Sequence, residues 1–390
     1  MKILMVLESI FTGDTRVENE ALSLISDGHD VSIICYSETK RTYTETHRNI
    51  SLFRIGISPF IKKSSIGALR FPIYFKFWTK EIKRILSLYD FHAIHIHDLP
   101  LIKIGYDIAN EYNLKLVLDL HENFPALLNI SEHTKTFLGR LLCSIPQWEE
   151  YEIEYVNKVD NIIVVIEEAR ERLISLGADT NKIKVVSNYL KTETFKKVKK
   201  KPFNNDRITF IYLGGVTYHR GLQFVIEATK KLKNYSDRFN ILIIGDGRFV
   251  PTLKIMVRKY ELHNVEFTGW LAESDSFEKL GEGDIAIIPH IKSAHTDNTI
   301  PHKLFFYMYY GFPVISSDCM PIKRIIEESN AGLTFPSGNS EMLASLMEKF
   351  ILSPQLINDY SSSTHAVEKK YNWEIESVKL KGIYKDLNQT

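Results

Sequence analysis

Short aliphatic and β-branched runs recur along this sequence with amphipathic stretches between them. The first set comprises Ile3–Leu7, Val31–Cys35, Ala93–Ile96, Leu114–Leu118, Asn161–Ile166 and Lys184–Val186, and the second Ile208–Leu213, Phe239–Ile244, Val265–Thr268, Asp284–Pro289 and Pro313–Ser316. A strand with one wet face alternates apolar and polar residues. An unbroken apolar run belongs instead to a parallel strand covered on both faces, and the amphipathic stretches supply the covering helices. The rhythm stops once, at the polar interval Lys191 to Arg207, which carries Lys196, Lys197, Lys199, Lys200, Lys201 and Pro202 and reads as a solvated connection. The fold class is therefore α/β, with two doubly wound domains facing each other across a cleft, and 390 residues suffice for two such cores. Ligands of these sheets lie beyond the carboxyl ends of the strands, so functional residues are expected in the loops that follow the runs.

Composition removes several classes of function. The 49 basic and 48 acidic residues leave a formal charge of +1, so the chain has no field suited to nucleic acid. Cys35, Cys143 and Cys319 are too few and too scattered for a disulfide framework or a cysteine-rich zinc site, which favours a reducing, cytoplasmic compartment. The apolar start Met1–Leu7 stops at Glu8 without a cleavage signal and reads as a first buried strand. No stretch approaches the roughly 18 apolar residues of a membrane span. One segment suits peripheral contact. Between residues 62 and 84 seven basic residues, Lys62, Lys63, Arg70, Lys76, Lys80, Lys83 and Arg84, face the single acidic Glu81, with Phe71, Tyr74, Phe75, Phe77 and Trp78 interleaved. Cations and amphipathic rings at near-helical spacing fit a membrane interface, though the same pattern also describes a solvated helix whose aromatics are core.

Locally, Asn298 or Thr299 can cap a helix with Pro301 in its first turn, Gly311 at its left-handed end and Pro313 stopping it. Such a helix aims amides at the loop after Asp284–Pro289, where phosphate or sugar oxygens could bind. The run Ile300 to Asp318 resembles the nucleotide-sugar-binding signature of retaining glycosyltransferase family 4. Asp14–Ala21 with Gly28–Val31 is similar to that family's first helix and second strand. Tyr212-Leu213-Gly214-Gly215 with Arg220-Gly221, and Gly245-Asp246-Gly247 with Gly269-Trp270, resemble its glycine-bearing turns.

The resemblance implies a GT-B fold of two Rossmann-like domains. The acceptor domain would span 1–190 and be joined by a returning helix, 366–390. The donor domain would span 191–365. It implies a hexosyltransferase of surface-polysaccharide synthesis that retains anomeric configuration, with a nucleoside-diphosphate sugar, UDP-linked in the first instance, as co-substrate. Carried over by position, Arg220 pairs with the diphosphate and His121 lies near the donor sugar, as the catalytic pair. Gly214, Gly215, Gly245, Gly247, Gly269, Trp270, Asn298, Thr299, Ile300 and Lys303 would border the donor. Gly13, Asp14, Arg16, His97, Asp98 and Glu122 would line the acceptor side, for a saccharide or polyprenyl-linked saccharide. His97, Asp98, Asp119 and His121 are also competent metal ligands. No zinc motif accompanies them and the retaining reaction requires no metal, so neither metal nor cofactor is expected. Three positions depart from the family pattern, the first being Asn298, where the earlier of two glutamates eight residues apart commonly stands. Phe306 stands where a glutamate contacts ribose, and Gly215 where a second arginine precedes Arg220. They leave a GT-B-fold binding protein without turnover as the alternative.

Overall fold

The computed structural model describes residues 1–131, 134, 136–194, 207–360 and 364–389. The chain forms two compact units, Met1–Asn188 with Trp373–Thr390, and Tyr189–Asn372. The lysines at 196–201 and Pro202 lie outside the described residues.

The first unit is built on β1 (Lys2–Ile10), β2 (Asp30–Tyr36), β3 (Tyr43–His47), β4 (Ile50–Ile55), β5 (Ala93–His97), β6 (Lys115–Leu120), β7 (Asn161–Val164) and β8 (Ile183–Val185). They form one sheet in the order β3-β4-β2-β1-β5-β6-β7-β8, parallel except for the β3–β4 pair. The strand order turns back between β1 and β5, which opens the carboxyl edge there. The β3–β4 hairpin escapes the sequence pattern for a physical reason. β3 is polar and exposed along its length, and the turn Arg48-Asn49 takes positive φ at both residues without a glycine to mark it.

The second unit carries β9 (Ile208–Leu213), β10 (Phe239–Ile244), β11 (Val265–Phe267), β12 (Ile285–Ile288), β13 (Val314–Ser317) and β14 (Gly332–Phe335) in one parallel sheet, ordered β11-β10-β9-β12-β13-β14. Its turning point lies between β9 and β12. One apolar cluster covers each face of the sheet, one with Phe210, Phe239 and Phe350, the other with Phe305, Phe312 and Ile325. β14 opens on Gly332 and has no aliphatic run, so the sequence pattern omits it.

Three expectations are corrected. The return to the first unit begins at Trp373, not at 366. The helix Thr364–Lys369 and the residues after it stay with the second unit because Val367 and Tyr371 are buried in its core and the Tyr371 hydroxyl donates to Glu328. The first division falls at Asn188 because Leu190 is buried in that same core. The helix expected to start at Asn298 or Thr299 spans Lys303–Tyr309. Asn298 and Thr299 instead donate back to the Ala294 and His295 carbonyls, closing a turn rather than capping a helix. At the other end Gly311 adopts φ +66°, and the Phe312 amide donates to the Tyr307 carbonyl, the left-handed stop the sequence calls for. The C-terminal helix Trp373–Leu387 packs on the helix Thr15–Ser26, with the Trp373 indole donating to the Ser23 hydroxyl.

Candidate active site

In the second unit the carboxyl ends of β9, β10 and β12 gather basic side chains around Arg220 at the sheet's turning point. β9 runs into Gly214 and a short turn, Tyr218–Arg220, that ends on Gly221. Gly221 takes φ +74°, and a Cβ there would meet the Pro289 carbonyl oxygen at 1.7 Å, so only glycine lets this loop lie against the end of β12. That approach sets the Arg220 guanidinium 3.1 Å from the His290 imidazole. His290 is 2% exposed. Burial, reinforced by Arg220, holds it well below its usual pKa, so it is neutral and accepts a hydrogen bond from Arg220. His219 and His295 are likewise pushed down, each to about 4, with burial the largest cause. Lys303, half-buried on the helix Lys303–Tyr309, places its ammonium 3.8 Å from the centre of the Tyr212 ring, and burial with Arg220 lowers its pKa well below the ordinary lysine value. β10 ends at Gly245, where a Cβ would lie 2.3 Å from the Gly214 carbonyl oxygen, so the two turns touch through backbone alone. The fixed charge of Arg220, with neutral imidazoles beside it that can hydrogen-bond and Lys303 that regains a proton as an anion approaches, makes a receptor for a polyanion.

The other donor-side expectations sort by position. Gly247 and Gly269 flank the same edge, Gly269 through a bridge to Gly245. Trp270 is 77% exposed beside it. Asn298, Thr299 and Ile300 are half-buried in the loop leading to Lys303. Gly215 is exposed with open space where a side chain would be, and Phe306 turns into the core against Phe277, ring centres 5.5 Å apart. Sequence reasoning missed His290. Its signal was its place directly after the run Asp284–Pro289.

In the first unit the loops after β1, β5 and β6 converge. Gly13 takes φ +85° and leads into Asp14, which caps the helix Thr15–Ser26 and binds Arg16 at 2.9 Å. Burial alone would raise the Asp14 pKa, and Arg16 overcomes it and holds the carboxyl below its usual range. Asp98 adopts φ +67°, uncommon for a residue other than glycine, and accepts from the His121 amide at 3.3 Å. The ring of His121 is buried, its Nδ1 2.9 Å from Asn188 Nδ2 and its Nε2 3.1 Å from Asp119 Oδ2 and 3.4 Å from His97 Nδ1. The register explains this. His97 and Asp119 pair across β5 and β6, and His121 lies two residues past Asp119 on the same face. Asp119 is held well below the usual carboxylate range, His121, His95 and His97 together outweighing burial.

The metal-competent set differs from the one noted in the sequence, where no metal is expected. Asp98 turns to the His121 backbone, and Glu20 and His95, absent from the sequence reading, join His97 and Asp119 instead.

Glu122 is pushed up to about 7 by burial and then by Asp98. Glu8, near the end of β1 and not singled out in the sequence, is pushed up to about 8, again mainly by burial, with the Tyr74 hydroxyl and Lys62 opposing and Asp98 adding. Above the ordinary glutamate value of 4.5 the native chain keeps protons on these groups that the unfolded chain has lost, so stability falls as pH rises. Below 6.5 the depressed histidines act in the opposite sense. Between 6.5 and about 8 the raised carboxyls Glu8, Glu122 and Glu20 act together and Lys303, held below the ordinary lysine value, opposes them, so the Glu8 part is read as the difference between wild type and Glu8→Gln in this window. Melting temperature is expected to fall across it, with Glu8 contributing at most about 1.4 kcal/mol per pH unit. In thermal denaturation the pH slope of stability in Glu8→Gln should differ from that of wild type by up to that amount, in the sense of a smaller loss with rising pH, and an unchanged slope would contradict the assignment.

Two family models account for nearly the whole chain. Glycosyltransferase Family 4 matches residues 14–194 and Glycosyl transferases group 1 matches residues 193–367. The chain belongs to glycosyltransferase family 4. Among curated relatives of this family-4 chain, the amylovoran biosynthesis glycosyltransferase AmsK of Erwinia amylovora is 28% identical over 180 residues. That match covers 46% of this chain and less than half, 44%, of AmsK. Among solved structures, sucrose-phosphate synthase from Thermosynechococcus elongatus superposes with a TM-score of 0.80 at 14% identity, covering 100% of this chain and 99% of that one. Anabaena HepE in complex with UDP superposes with a TM-score of 0.72 at 14% identity, covering 100% of both. The family-4 chain thus has the GT-B fold of these glycosyltransferases.

Proposed function

We propose that this glycosyltransferase moves a hexose from a UDP-sugar to a saccharide or lipid-linked saccharide in surface-polysaccharide synthesis, with retention at the anomeric carbon. The convergence of Arg220, His290 and Lys303 at the turning point of the second sheet carries this reading. A nucleoside diphosphate is the polyanion that the family handles, and the structural neighbour HepE was solved with UDP. AmsK, whose name places it in amylovoran synthesis, supports the acceptor class. In the reaction the bond from the anomeric carbon to the leaving diphosphate breaks, and the acceptor oxygen bonds to that carbon on the same face. The acceptor proton passes to the departing diphosphate. Arg220 counters the charge that grows on the diphosphate, and His121 hydrogen-bonds the donor sugar as positive charge develops on its ring. No enzyme nucleophile or metal is assigned a step.

Incubation with UDP-glucose, UDP-galactose and UDP-N-acetylglucosamine plus polyprenyl-linked acceptors tests the reading through UDP release and product anomer. An α-linked product from an α-linked donor is expected, and a β-linked product would contradict retention. A binding protein without turnover is the second reading, favoured by Phe306, half-buried against Phe277 where a ribose-binding glutamate would stand. It predicts nucleotide binding without UDP release.

The acceptor is proposed to lie at a membrane surface, on the cytoplasmic side. Among the described residues no helix is long and apolar enough to cross a membrane. The basic segment divides. Tyr74 and Trp78 are core, Phe75 and Phe77 half-buried, and Lys83 and Arg84 pair with Glu111 and Glu81. Lys62, Lys63, Arg70, Lys76 and Lys80 are exposed, together with Phe60, Phe71 and Ile73. Only Phe71 of the interleaved aromatics is thus available to lipid. Each basic residue near an anionic surface contributes about 1 kcal/mol. The triple variant Lys62→Glu, Lys63→Glu, Arg70→Glu should therefore lower binding to phosphatidylglycerol vesicles at least about 100-fold in flotation assays. Equal binding by wild type and variant would contradict the proposal.

A further inference from the structure

We infer that Glu20, His95, His97 and Asp119 form a binding site for a divalent transition cation inside the first unit. The site is independent of the nucleotide-sugar chemistry proposed above. β5 presents His95 and His97 on one face, two residues apart, and Asp119 stands opposite His97 on β6. The helix Thr15–Ser26 lays Glu20 over them. All four side chains are withdrawn from solvent, at 0% exposure for His95, His97 and Asp119 and 2% for Glu20, and their ligand atoms lie within 4.8 Å of one another.

Hydrogen bonding does not account for this cluster. Asp119 Oδ2 lies 3.5 Å from His95 Nε2 and 3.4 Å from His97 Nδ1, and Glu20 Oε2 lies 3.9 Å from His95 Nε2. None of these contacts has hydrogen-bond geometry. Glu20 Oε2, His95 Nε2, His97 Nε2 and both Asp119 carboxylate oxygens are buried without a hydrogen-bond partner. Unsatisfied polar atoms of this number in one place are exceptional in a folded interior. The Arg16 guanidinium, whose charge reaches Glu20 and Asp119, is engaged by Asp14 at 2.9 Å. Two carboxylates and two imidazoles facing inward at this depth are the donor set of a cation.

Geometry and chemistry then narrow the class. Ligands about 2.0–2.1 Å from a tetrahedral ion are separated from one another by about 3.3–3.4 Å. The separation of Asp119 Oδ2 from the unpartnered His95 Nε2, 3.5 Å, is close to that edge, His97 Nδ1 stands at 3.4 Å but also meets His121 Nε2, and Glu20 is one small side-chain adjustment further out. Mixed imidazole and carboxylate ligation suits zinc, iron or manganese over calcium or magnesium. The Tyr384 hydroxyl, on the C-terminal helix Trp373–Leu387, lies 2.7 Å from His95 Nδ1, so an Nδ1 proton given to Tyr384 turns Nε2 inward as a ligand. A bound ion would tie the helix Thr15–Ser26 to β5 and β6 and fix Asp119, which lies 3.1 Å from His121 Nε2. Its role is structural and orienting.

The 390-residue chain, freed of any affinity tag, tests this by elemental analysis and thermal denaturation. About one equivalent of zinc, manganese or iron per chain is expected as purified, or else a reversible stabilisation when Zn²⁺ or Mn²⁺ is added after chelator treatment. His95→Gln and Glu20→Gln keep side-chain volume and hydrogen-bonding capacity, and in either variant the bound metal and the stabilisation should fall to about a tenth or less. Circular dichroism confirms that the variants are folded. The inference is overturned if wild-type protein neither contains such a metal nor gains stability from Zn²⁺ or Mn²⁺. It is equally overturned if the folded variants retain the metal. Nucleotide binding by the same sample is unaffected by either outcome, which separates this result from the donor-site assignment.

Discussion

Replacing Arg220 with alanine is expected to slow sugar transfer by about 10²–10³-fold, the usual consequence of removing one preorganised group that meets developing charge. The loss should appear in nucleotide binding as well, since the diphosphate carries charge before and after the bond breaks. The local structure supports a site effect rather than a folding effect. Arg220 is half-buried at a loop end, and its recorded side-chain partner is the neutral ring of His290 at 3.1 Å. Gly221 and the backbone contact with Pro289 hold the loop without help from the arginine side chain. Removing the guanidinium also relieves one cause of the low pKa of His290 and Lys303, which then offer the diphosphate a partial replacement. Arg220→Lys should recover part of the rate, because an ammonium keeps the charge but loses the planar, bidentate geometry. Steady-state kinetics with calorimetric nucleotide binding check both variants. Unchanged nucleotide affinity in Arg220→Ala would move the diphosphate elsewhere.

The second large effect is expected at His121. His121→Ala should lower the rate by about 10²-fold while leaving nucleotide affinity within a factor of about two, because every residue assigned to the nucleotide belongs to the second unit. His121→Asn should recover a fraction, since an amide can still hydrogen-bond a sugar hydroxyl. The ring is held by Asn188 on one nitrogen and faces Asp119 and His97 with the other. Asn188→Ala, which frees one side of the ring, should therefore cost less than the deletion itself. Parallel loss of rate and nucleotide binding in His121→Ala would contradict the division of labour between the units.

Much of the fold was legible because buried parallel strands write themselves as unbroken apolar runs. Ile3–Leu7 and Phe239–Ile244 are examples, and both fall in sheet interiors. Apart from the buried β4, what escaped was edge structure. β3 is polar and exposed and β14 is a short edge strand opening on glycine, so neither has an apolar run to show. The helix start at Lys303 escaped because Asn298 and Thr299, good caps by residue type, spend their side chains on their own turn.

The site was legible in the same uneven way. Arg220, His121, Lys303 and the glycines could be named from motif position, whereas His290, Glu8, Glu20 and His95 could not. Their significance comes from packing, which brings His290 to Arg220 across two loops and Glu20 from a helix onto β5. No spacing within the sequence announces such meetings.

The central claim is that the turning point of the second sheet binds a nucleoside diphosphate. Thermal denaturation of the purified chain with UDP, GDP and dTDP and their sugars tests it most directly. UDP at 100 times its dissociation constant should add about 2.7 kcal/mol to stability, and the gain should vanish in Arg220→Ala. If no nucleotide stabilises the wild-type protein, or if UDP stabilises both proteins equally, the donor site proposed at Arg220, His290 and Lys303 is wrong.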